Sequence, residues 1–240
     1  MAGLVAGMVG ASLGIGGGVI LVPILHLGFG FALADAVGTS LLVIVGTSIA
    51  GAAGYLDRDL VMLDVALELQ VGSMLGAVAA ALAAPLLPER VVAAVFAAAM
   101  VAAALTLWLR RGGEGGFFLP EEGARRWTAR LLAPAGGAAA GLLGIGGGLV
   151  QVPILRLILG LEMRRSVATS TLMVGWTASV AGWIYLQRGA AAPEALPWVL
   201  AGILLGAALA PGLTVWMPRR LLELGFSAAA LYGAYRMVLG

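Results

Sequence analysis

The segment Leu13-Gly-Ile-Gly-Gly-Gly18 recurs 130 residues later as Leu143-Gly-Ile-Gly-Gly-Gly148. The same offset, without a gap, pairs Val22-Pro-Ile-Leu25 with Val152-Pro-Ile-Leu155 and Thr39-Ser40 with Thr169-Ser170. Chance repetition of apolar residues would not keep glycine, proline and hydroxyl positions in one register, so the chain is an internal duplication. The boundaries predict a first repeat over 1–109, a connector over 110–130 and a second repeat over 131–240.

The composition indicates that both repeats lie in a lipid bilayer. Of 240 residues, 61% are hydrophobic and only 11% are charged, and the mean hydropathy is +1.04. A soluble domain carries roughly 25% charged residues. Apolar runs over 37–55, 65–87, 91–109 and 195–217 have about the length of a membrane-spanning helix. They lack the polar alternation of barrel strands, so we expect an all-α integral membrane protein.

Each repeat opens with a segment that glycine interrupts. Clustered glycine costs a helix interior roughly 1 kcal/mol per residue relative to alanine, which predicts a break at residues 14–17. The flanking pieces are short for a full crossing, and two structures remain open: a re-entrant hairpin or two short crossings. Each repeat would then consist of this broken hairpin and three transmembrane helices. The connector over 110–130, with its paired glycines and charges, reads as an aqueous loop.

The arginines favour the threading with a hairpin. All 14 basic residues are arginine. A hairpin that returns to its own side divides them 11 to 3 between the two sides, whereas a single crossing divides them 8 to 6. Loop arginines concentrate on the cytoplasmic side. The uneven division therefore predicts inverted repeats, with both termini outside and the connector in the cytoplasm.

The duplicated glycines are the first candidate binding site. A break at membrane depth frees backbone N–H groups, and the helices starting near Val19 and Leu149 direct their positive ends toward them. Such amides bind an anion without a charged side chain. The alternative is that the glycines only allow close helix packing. The predicted substrate-binding glycines are Gly16, Gly17, Gly18, Gly146, Gly147 and Gly148.

Hydroxyl and amide side chains extend this candidate site. Thr39-Ser40 and Thr169-Ser170 follow the two hairpins, and their hydroxyl groups could coordinate an oxyanion. Helix capping or back-bonding to helix carbonyls is the alternative. Gln151 follows the second glycine run where the first repeat has Leu21, so it would give the site an asymmetric amide.

Few ionisable side chains lie within the apolar segments, and each is therefore a candidate. His26, Glu68 and Arg156 are candidates for ion coupling or anion attraction, with an interfacial position as the alternative. Tyr55 is interpreted as an interface anchor. One histidine, no cysteine and no paired intramembrane carboxylates argue against a metal site, a cofactor or an enzyme. The net charge of +2 gives no reason to expect nucleic acid.

At these residues the sequence resembles the TauE/SafE sulfite-exporter family. The pattern Gly10-x-x-x-Gly14-Ile-Gly-Gly-Gly18-x-x-x-x-Pro23, followed by Ala36-Val37-Gly38-Thr39-Ser40-Leu41, is similar to its first-half signature. The segments 144–153 and 167–170 are similar to the second. Departures are Ala168 in place of Gly38 and Thr171 in place of Leu41. The resemblance covers essentially the whole chain and implies a bacterial-type transporter of the inner membrane.

The leading hypothesis is a secondary transporter that exports a small anion by alternating access. The resemblance implies sulfite or an organosulfonate such as sulfoacetate, and the residues alone do not specify sulfur. An anion channel that uses the same glycine backbone is the alternative. The expected partners are thus a small inorganic or organosulfur anion and membrane lipid, and the oligomeric state stays open.

Overall fold

The computed structural model of the protein describes residues 2–88, 122–192 and 196–218, together with single positions at 90–91, 94–95, 98, 101, 220–221, 224–225, 227–228, 231 and 235. Throughout these ranges the regular structure is helical, and they contain no strand. This agrees with the predicted all-α class. The third span expected in the first repeat, over 91–109, falls largely outside the described residues.

Over residues 2–88, which the structure describes, the first repeat has four helices. They are α1 (Ala2–Leu13), α2 (Gly18–Gly28), α3 (Leu33–Leu56) and α4 (Leu63–Ala83), and α4 continues into a short 3-10 turn over Ala84–Leu86. Pro23 lies inside α2 and is followed by a π-helical turn over Ile24–Gly28. Proline lacks the N–H that an α-helix would use, which is a physical reason for the change of pitch.

Within residues 122–192 and 196–218, the second repeat has four equivalent helices. They are α5 (Glu122–Leu143), α6 (Gly148–Ile158), α7 (Met163–Gln187) and α8 (Leu196–Trp216). A π-helical turn again follows the proline of the short helix, over Ile154–Ile158. Among the described residues, α3, α4 with its 3-10 turn, α7 and α8 are long and apolar enough to cross a membrane.

The predicted glycine breaks are confirmed in both repeats. Gly14, Gly16 and Gly17 have φ angles of 72°, 75° and 85°, which end α1 before α2 begins. Gly144 and Gly146 have 69° and 75°, which repeats the same backbone. This left-handed region costs residues with a Cβ about 1–2 kcal/mol, so glycine is required there.

The connector differs from the aqueous loop expected over 110–130. Helix α5 begins at Glu122 and continues without a break into the second repeat, so residues 122–130 are helical. Ala129 is fully buried in an apolar cluster with Leu69 of α4. The charges that suggested a loop belong to one face of an amphipathic helix. Residues 110–121 lie outside the described residues.

The first helix of each repeat packs against the other repeat. Gly7 of α1 lies so close to α8 that an added Cβ would collide with the carbonyl oxygen of Ile203. At the equivalent place, Gly137 of α5 lies against the carbonyl oxygen of Ser73 on α4. Each opening helix therefore packs most extensively on the fourth helix of the other repeat.

The central helices α3 and α7 pack against each other in opposite directions. Gly38, near the start of α3, lies against Tyr185, near the end of α7. Ser48, further along α3, donates a hydrogen bond of 2.6 Å to the carbonyl of Thr171, near the start of α7. These two contacts make the pair antiparallel.

Candidate functional site

Each glycine segment reverses the chain and forms a hairpin. An added Cβ at Gly136 of α5 would lie 3.0 Å from Cγ of Gln151 on α6, although the two residues are 15 positions apart. In the first repeat, Gly17 lies against the carbonyl of Ala6. The helices on either side of each glycine segment therefore run back along each other. Both structures that the sequence left open, a re-entrant hairpin and two short crossings, contain such a reversal.

The tips of the two hairpins meet in the interior. A Cβ at Gly18 would collide with the carbonyl oxygen of Gly144, and a Cβ at Gly148 would collide with that of Gly14. Close packing, the alternative considered for these glycines, is thus a real function of Gly18 and Gly148. The same contact brings together the two predicted halves of the binding site.

Branched side chains close the centre of this junction. A Cβ at Gly16 would lie 2.9 Å from methyl carbons of both Ile44 and Val174, which are fully buried at mid-length of α3 and α7. Gly146 faces the same two side chains. The glycine tips are therefore tightly packed in this conformation, and any ligand there would need these helices to separate.

Several backbone amides at the tips lack an acceptor. Helical hydrogen bonding resumes at Ile20, whose amide donates to the Gly17 carbonyl at 3.1 Å, and at Val150, which donates to the Gly147 carbonyl at 3.0 Å. The amides of the three residues before each of these, 17–19 and 147–149, donate to no acceptor among the described residues. All six residues are buried. Buried amides without a partner are rare in proteins. The amides at these six positions are therefore candidates to donate hydrogen bonds to a ligand.

The serine hydroxyls hold the hairpin tips across the repeat boundary. Ser40 Oγ donates to the carbonyl of Gly144 at 2.8 Å, and Ser170 Oγ donates to the carbonyl of Gly14 at 2.8 Å. Each serine therefore positions the glycine tip of the other repeat. Because the single hydroxyl proton of each serine is already used, these side chains are positioning groups in this conformation.

The threonine hydroxyls accept hydrogen bonds but donate none within the described residues. Thr39 Oγ1 accepts from the amide of Ala192 at 2.7 Å, and Thr169 Oγ1 accepts from the amide of Met62 at 3.0 Å. Neither hydroxyl donates to an acceptor in the described part of the chain, and both threonines are fully buried. Neither caps its helix, since α3 begins at Leu33 and α7 at Met163. Each hydroxyl can therefore donate a hydrogen bond to an oxyanion.

Gln151 is a buried amide with no hydrogen-bond partner among the described residues. Its side chain is 1% exposed, and neither Oε1 nor Nε2 is satisfied. Gln70 of α4, 5% exposed, is in the same condition. An unsatisfied buried amide costs about 1–3 kcal/mol, and a bound ligand or water would remove that cost. Gln151 therefore remains a candidate contact, whereas Gln70 was not in the predicted site.

Glu68 has arginine partners on α5. Its carboxylate receives hydrogen bonds from Arg130 at 2.8 Å and from Arg126 at 3.0 Å. The glutamate is 15% exposed and both arginines are more than 40% exposed. These ion pairs connect the start of α4 to the start of α5, at a distance from the glycine tips. A structural role explains this geometry without invoking ion coupling.

A cavity of about 730 Å³ lies beside the second hairpin tip. His26 and Arg188 line it together with apolar side chains that include Val37 and Leu142. Val37 also lies against Gly144, so the inner end of the cavity adjoins the glycine junction. Arg188 was not in the predicted site, since its position after α7 made it resemble an ordinary loop arginine.

Two predicted residues lie at equivalent positions in the π-helical turns that end α2 and α6. Nδ1 of His26 lies 2.8 Å from the carbonyl oxygen of Phe31, and Arg156 donates to the carbonyl of Leu161 at 2.9 Å. His26 borders the cavity, whereas Arg156 stands at its repeat-equivalent position. Within the described ranges no cluster of histidine, cysteine or acidic side chains could hold a metal ion.

Tyr55 does not have the interfacial position expected from the sequence. It is fully buried, and its hydroxyl donates to the carbonyl of Ala11 at 2.9 Å. The hydroxyl also lies 2.7 Å from Oγ1 of Thr214. The sequence could not show these partners, because they come from a hairpin and from a helix of the other repeat.

Comparisons with known proteins give one consistent result. The family model described as Sulfite exporter TauE/SafE matches residues 1–237. The Probable membrane transporter protein YunE of Bacillus subtilis (strain 168) is 28% identical over 194 residues, which cover 72% of this chain and 71% of that protein. No solved structure matches the chain.

Proposed function

The chain belongs to the TauE/SafE sulfite exporter family of membrane transporters, and from that premise we propose that it exports a small sulfur-containing anion by alternating access. Sulfite or an organosulfonate such as sulfoacetate is the proposed substrate. The observation that carries this proposal is the pair of glycine tips, with their unbonded buried amides, at the junction of the two repeats.

The chemistry of the junction supports an anionic substrate. The backbone amides at residues 17–19 and 147–149 are hydrogen-bond donors at the tips. Thr39 and Thr169 each precede a serine that bonds to a tip, and in this proposal their hydroxyls supply further donors once α3 and α7 separate. Gln151 adds a further amide donor. Donors without fixed charge hold an anion while avoiding the cost of burying an arginine in its absence. The substrate in this proposal sits between the tips after α3 and α7 separate.

An inverted arrangement of the repeats is part of the proposal. The antiparallel packing of the equivalent helices α3 and α7 supports it. The arginine distribution adds an orientation in the inner membrane, with both termini outside and the connector in the cytoplasm. The closed contact between the tips favours a carrier over a channel, because an open pore needs a continuous path.

The proposal is tested by flux of sulfite, sulfoacetate and sulfate into liposomes that contain the purified protein. Thr39→Val and Thr169→Val each keep the shape of the side chain and remove the hydroxyl, both as a donor and as the acceptor for the amide of Ala192 or Met62. A hydrogen bond to a charged group contributes about 1.5–3 kcal/mol, so we expect each variant to reduce transport about tenfold or more.

Thr47→Val is the matched control for these variants. Thr47 is equally buried on α3, and its hydroxyl donates only to the carbonyl of Val43 in its own helix, at 3.4 Å. Transport by Thr47→Val should stay near that of the wild type. Wild-type flux in both Thr39→Val and Thr169→Val would remove the hydroxyl groups from the site. Flux that does not saturate with substrate would replace the carrier with a channel.

A further inference from the structure

The cavity runs from one end of the helix bundle toward the glycine junction. Leu87, Gly30 and Arg188 at its outer end are exposed, whereas Val37 and Tyr185 at its inner end are buried. The start of α3 and the end of α7 both border it, which places the cavity at one end of this antiparallel pair. The cation of Arg188 stands at the entrance of a mostly apolar chamber.

The duplication defines an equivalent place at the opposite end of the bundle. The counterparts of Tyr185, Ala84 and Leu142 are Tyr55, Thr214 and Ser12. Tyr55 and Thr214 are fully buried there, and Ser12 is 3% exposed. Ala84 and Leu142 at the cavity end are partly exposed, whereas their counterparts Thr214 and Ser12 are buried, so the second end is the more tightly packed of the two.

A hydrogen-bonded cluster closes this second end. The Tyr55 hydroxyl lies 2.9 Å from the carbonyl oxygen of Ala11 and 2.7 Å from Oγ1 of Thr214, which in turn lies 2.9 Å from the carbonyl oxygen of Ala210. Two hydroxyl protons serve these three contacts. The cluster thus connects the end of α3, the tip of the first hairpin and the end of α8. In contrast, Ala84 offers no hydroxyl to Tyr185, whose own hydroxyl has no hydrogen-bond partner among the described residues.

We propose that the cavity is the open access chamber for the transported anion and that the Tyr55–Thr214 cluster is the closed gate of the opposite access route. This inference rests on the proposed alternating-access function and adds its two gates. Arg188 attracts the anion into the chamber, and Val37 marks the point where the chamber meets the Gly144 tip. Breaking the Tyr55 hydrogen bonds frees α8 and the first hairpin to separate from α3.

Cysteine labelling tests the gate directly, because the chain contains no cysteine. Val37→Cys and Val167→Cys place single thiols at repeat-equivalent positions that are 2% and 0% exposed. A membrane-impermeant maleimide should label Val37→Cys from one side of the membrane and leave Val167→Cys unlabelled. Addition of Tyr55→Phe should increase the labelling rate of Val167→Cys on the order of tenfold, from the other side, and reduce that of Val37→Cys.

Tyr185→Phe is the matched control, since it removes the repeat-equivalent hydroxyl, which makes no hydrogen bond among the described residues. It should leave Val167→Cys unlabelled. A monodisperse profile in size-exclusion chromatography reports that the Tyr55→Phe protein is folded. If Tyr55→Phe fails to fold, Thr214→Val keeps the bond from Tyr55 to Ala11 and should give a smaller change in the same direction.

A permanent plug is the result that would overturn the inference. In that case Val167→Cys stays unlabelled in every folded gate variant. The labelling requires no substrate, so it separates this inference from the proposed function. If Tyr55→Phe raises the labelling of Val167→Cys and lowers that of Val37→Cys, but no sulfur anion is transported, the gates are supported and the proposed substrate is refuted. If a sulfur anion is transported but the labelling of the two cysteines does not change, the substrate is supported and the gates are refuted.

Discussion

The first hairpin, over α1 and α2, and the second, over α5 and α6, have nearly the same backbone. Gly17 and Gly147 differ by only a few degrees, with φ angles of 85° and 81°. Their side chains differ where chemistry would take place, since the second hairpin carries Gln151 and the first carries Leu21. The glycine positions therefore determine the shape of each hairpin, while the positions beside them give the two hairpins different chemistry.

Glycine replacement at the tips should have the largest effect and should affect both hairpins equally. Gly18→Ala and Gly148→Ala each force a Cβ into a backbone carbonyl of the other tip. Backbone cannot move aside as a flexible side chain would, so we expect each change to cost about 3 kcal/mol or more. Thermal unfolding in detergent and the monodisperse fraction after purification measure the loss.

Gly123→Ala is the control for helix propensity, because an added Cβ there meets no atom within 4 Å. It should leave the unfolding midpoint unchanged or slightly higher. A loss of stability confined to one of the two tip variants would break the equivalence of the hairpins.

Replacement of Gln151 should separate the two hairpins by function. Gln151→Leu copies the first hairpin and removes an amide that has no partner. We expect a stability gain of about 1–2 kcal/mol and a loss of transport of about tenfold. Unfolding midpoints and liposome flux, measured on the same preparation, report the two effects.

The exchanged variant Leu21→Gln with Gln151→Leu sharpens this test. Its amide lies in the first hairpin instead of the second. Transport should stay low if the substrate contacts the two hairpins unequally. Full transport by Gln151→Leu alone would instead exclude the amide from the substrate site.

Glu68→Gln should have the smallest effect. It removes the ion pairs that connect α4 to α5, whereas the equivalent position in the second repeat is Trp198. Because the partner arginines are largely exposed, we expect a cost of about 1 kcal/mol or less in unfolding free energy. Glu122→Gln, which loses only an exposed pair with Arg126, is the control. A changed pH dependence of transport in Glu68→Gln would reveal ion coupling in addition to this contact.

The order of elements could be predicted from the sequence because its signals are local. Clustered glycines end α1 at Leu13 and restart the helix at Gly18, where the cost of glycine in a helix indicated a break. Apolar runs of sufficient length became α3 and α4. The repeat register then extended each assignment to the second half of the chain.

The partners of the four predicted hydroxyl groups could not be predicted, because those of Thr39, Ser40, Thr169 and Ser170 lie in the other repeat. The sequence offered Thr39 and Ser40 as one pair of hydroxyl ligands. The structure divides them, since Ser40 donates to a glycine carbonyl and Thr39 retains its proton. Tyr55 failed as an interface anchor for the same reason. A tyrosine at the end of an apolar run has the same local sequence whether it meets lipid headgroups or a buried threonine.

The packing of each opening helix against the other repeat has a consequence for how the protein is made. Helix α1 emerges from the ribosome well before its main partner α8. Synthesis proceeds from the N-terminus, so the first hairpin waits until α8 is made before its apolar surface is covered. The reciprocal contacts resemble an isologous interface, in which each partner presents the same surface to the other. Each half is then the assembly partner of the other, and a half produced alone would reach the membrane without the helix that completes it.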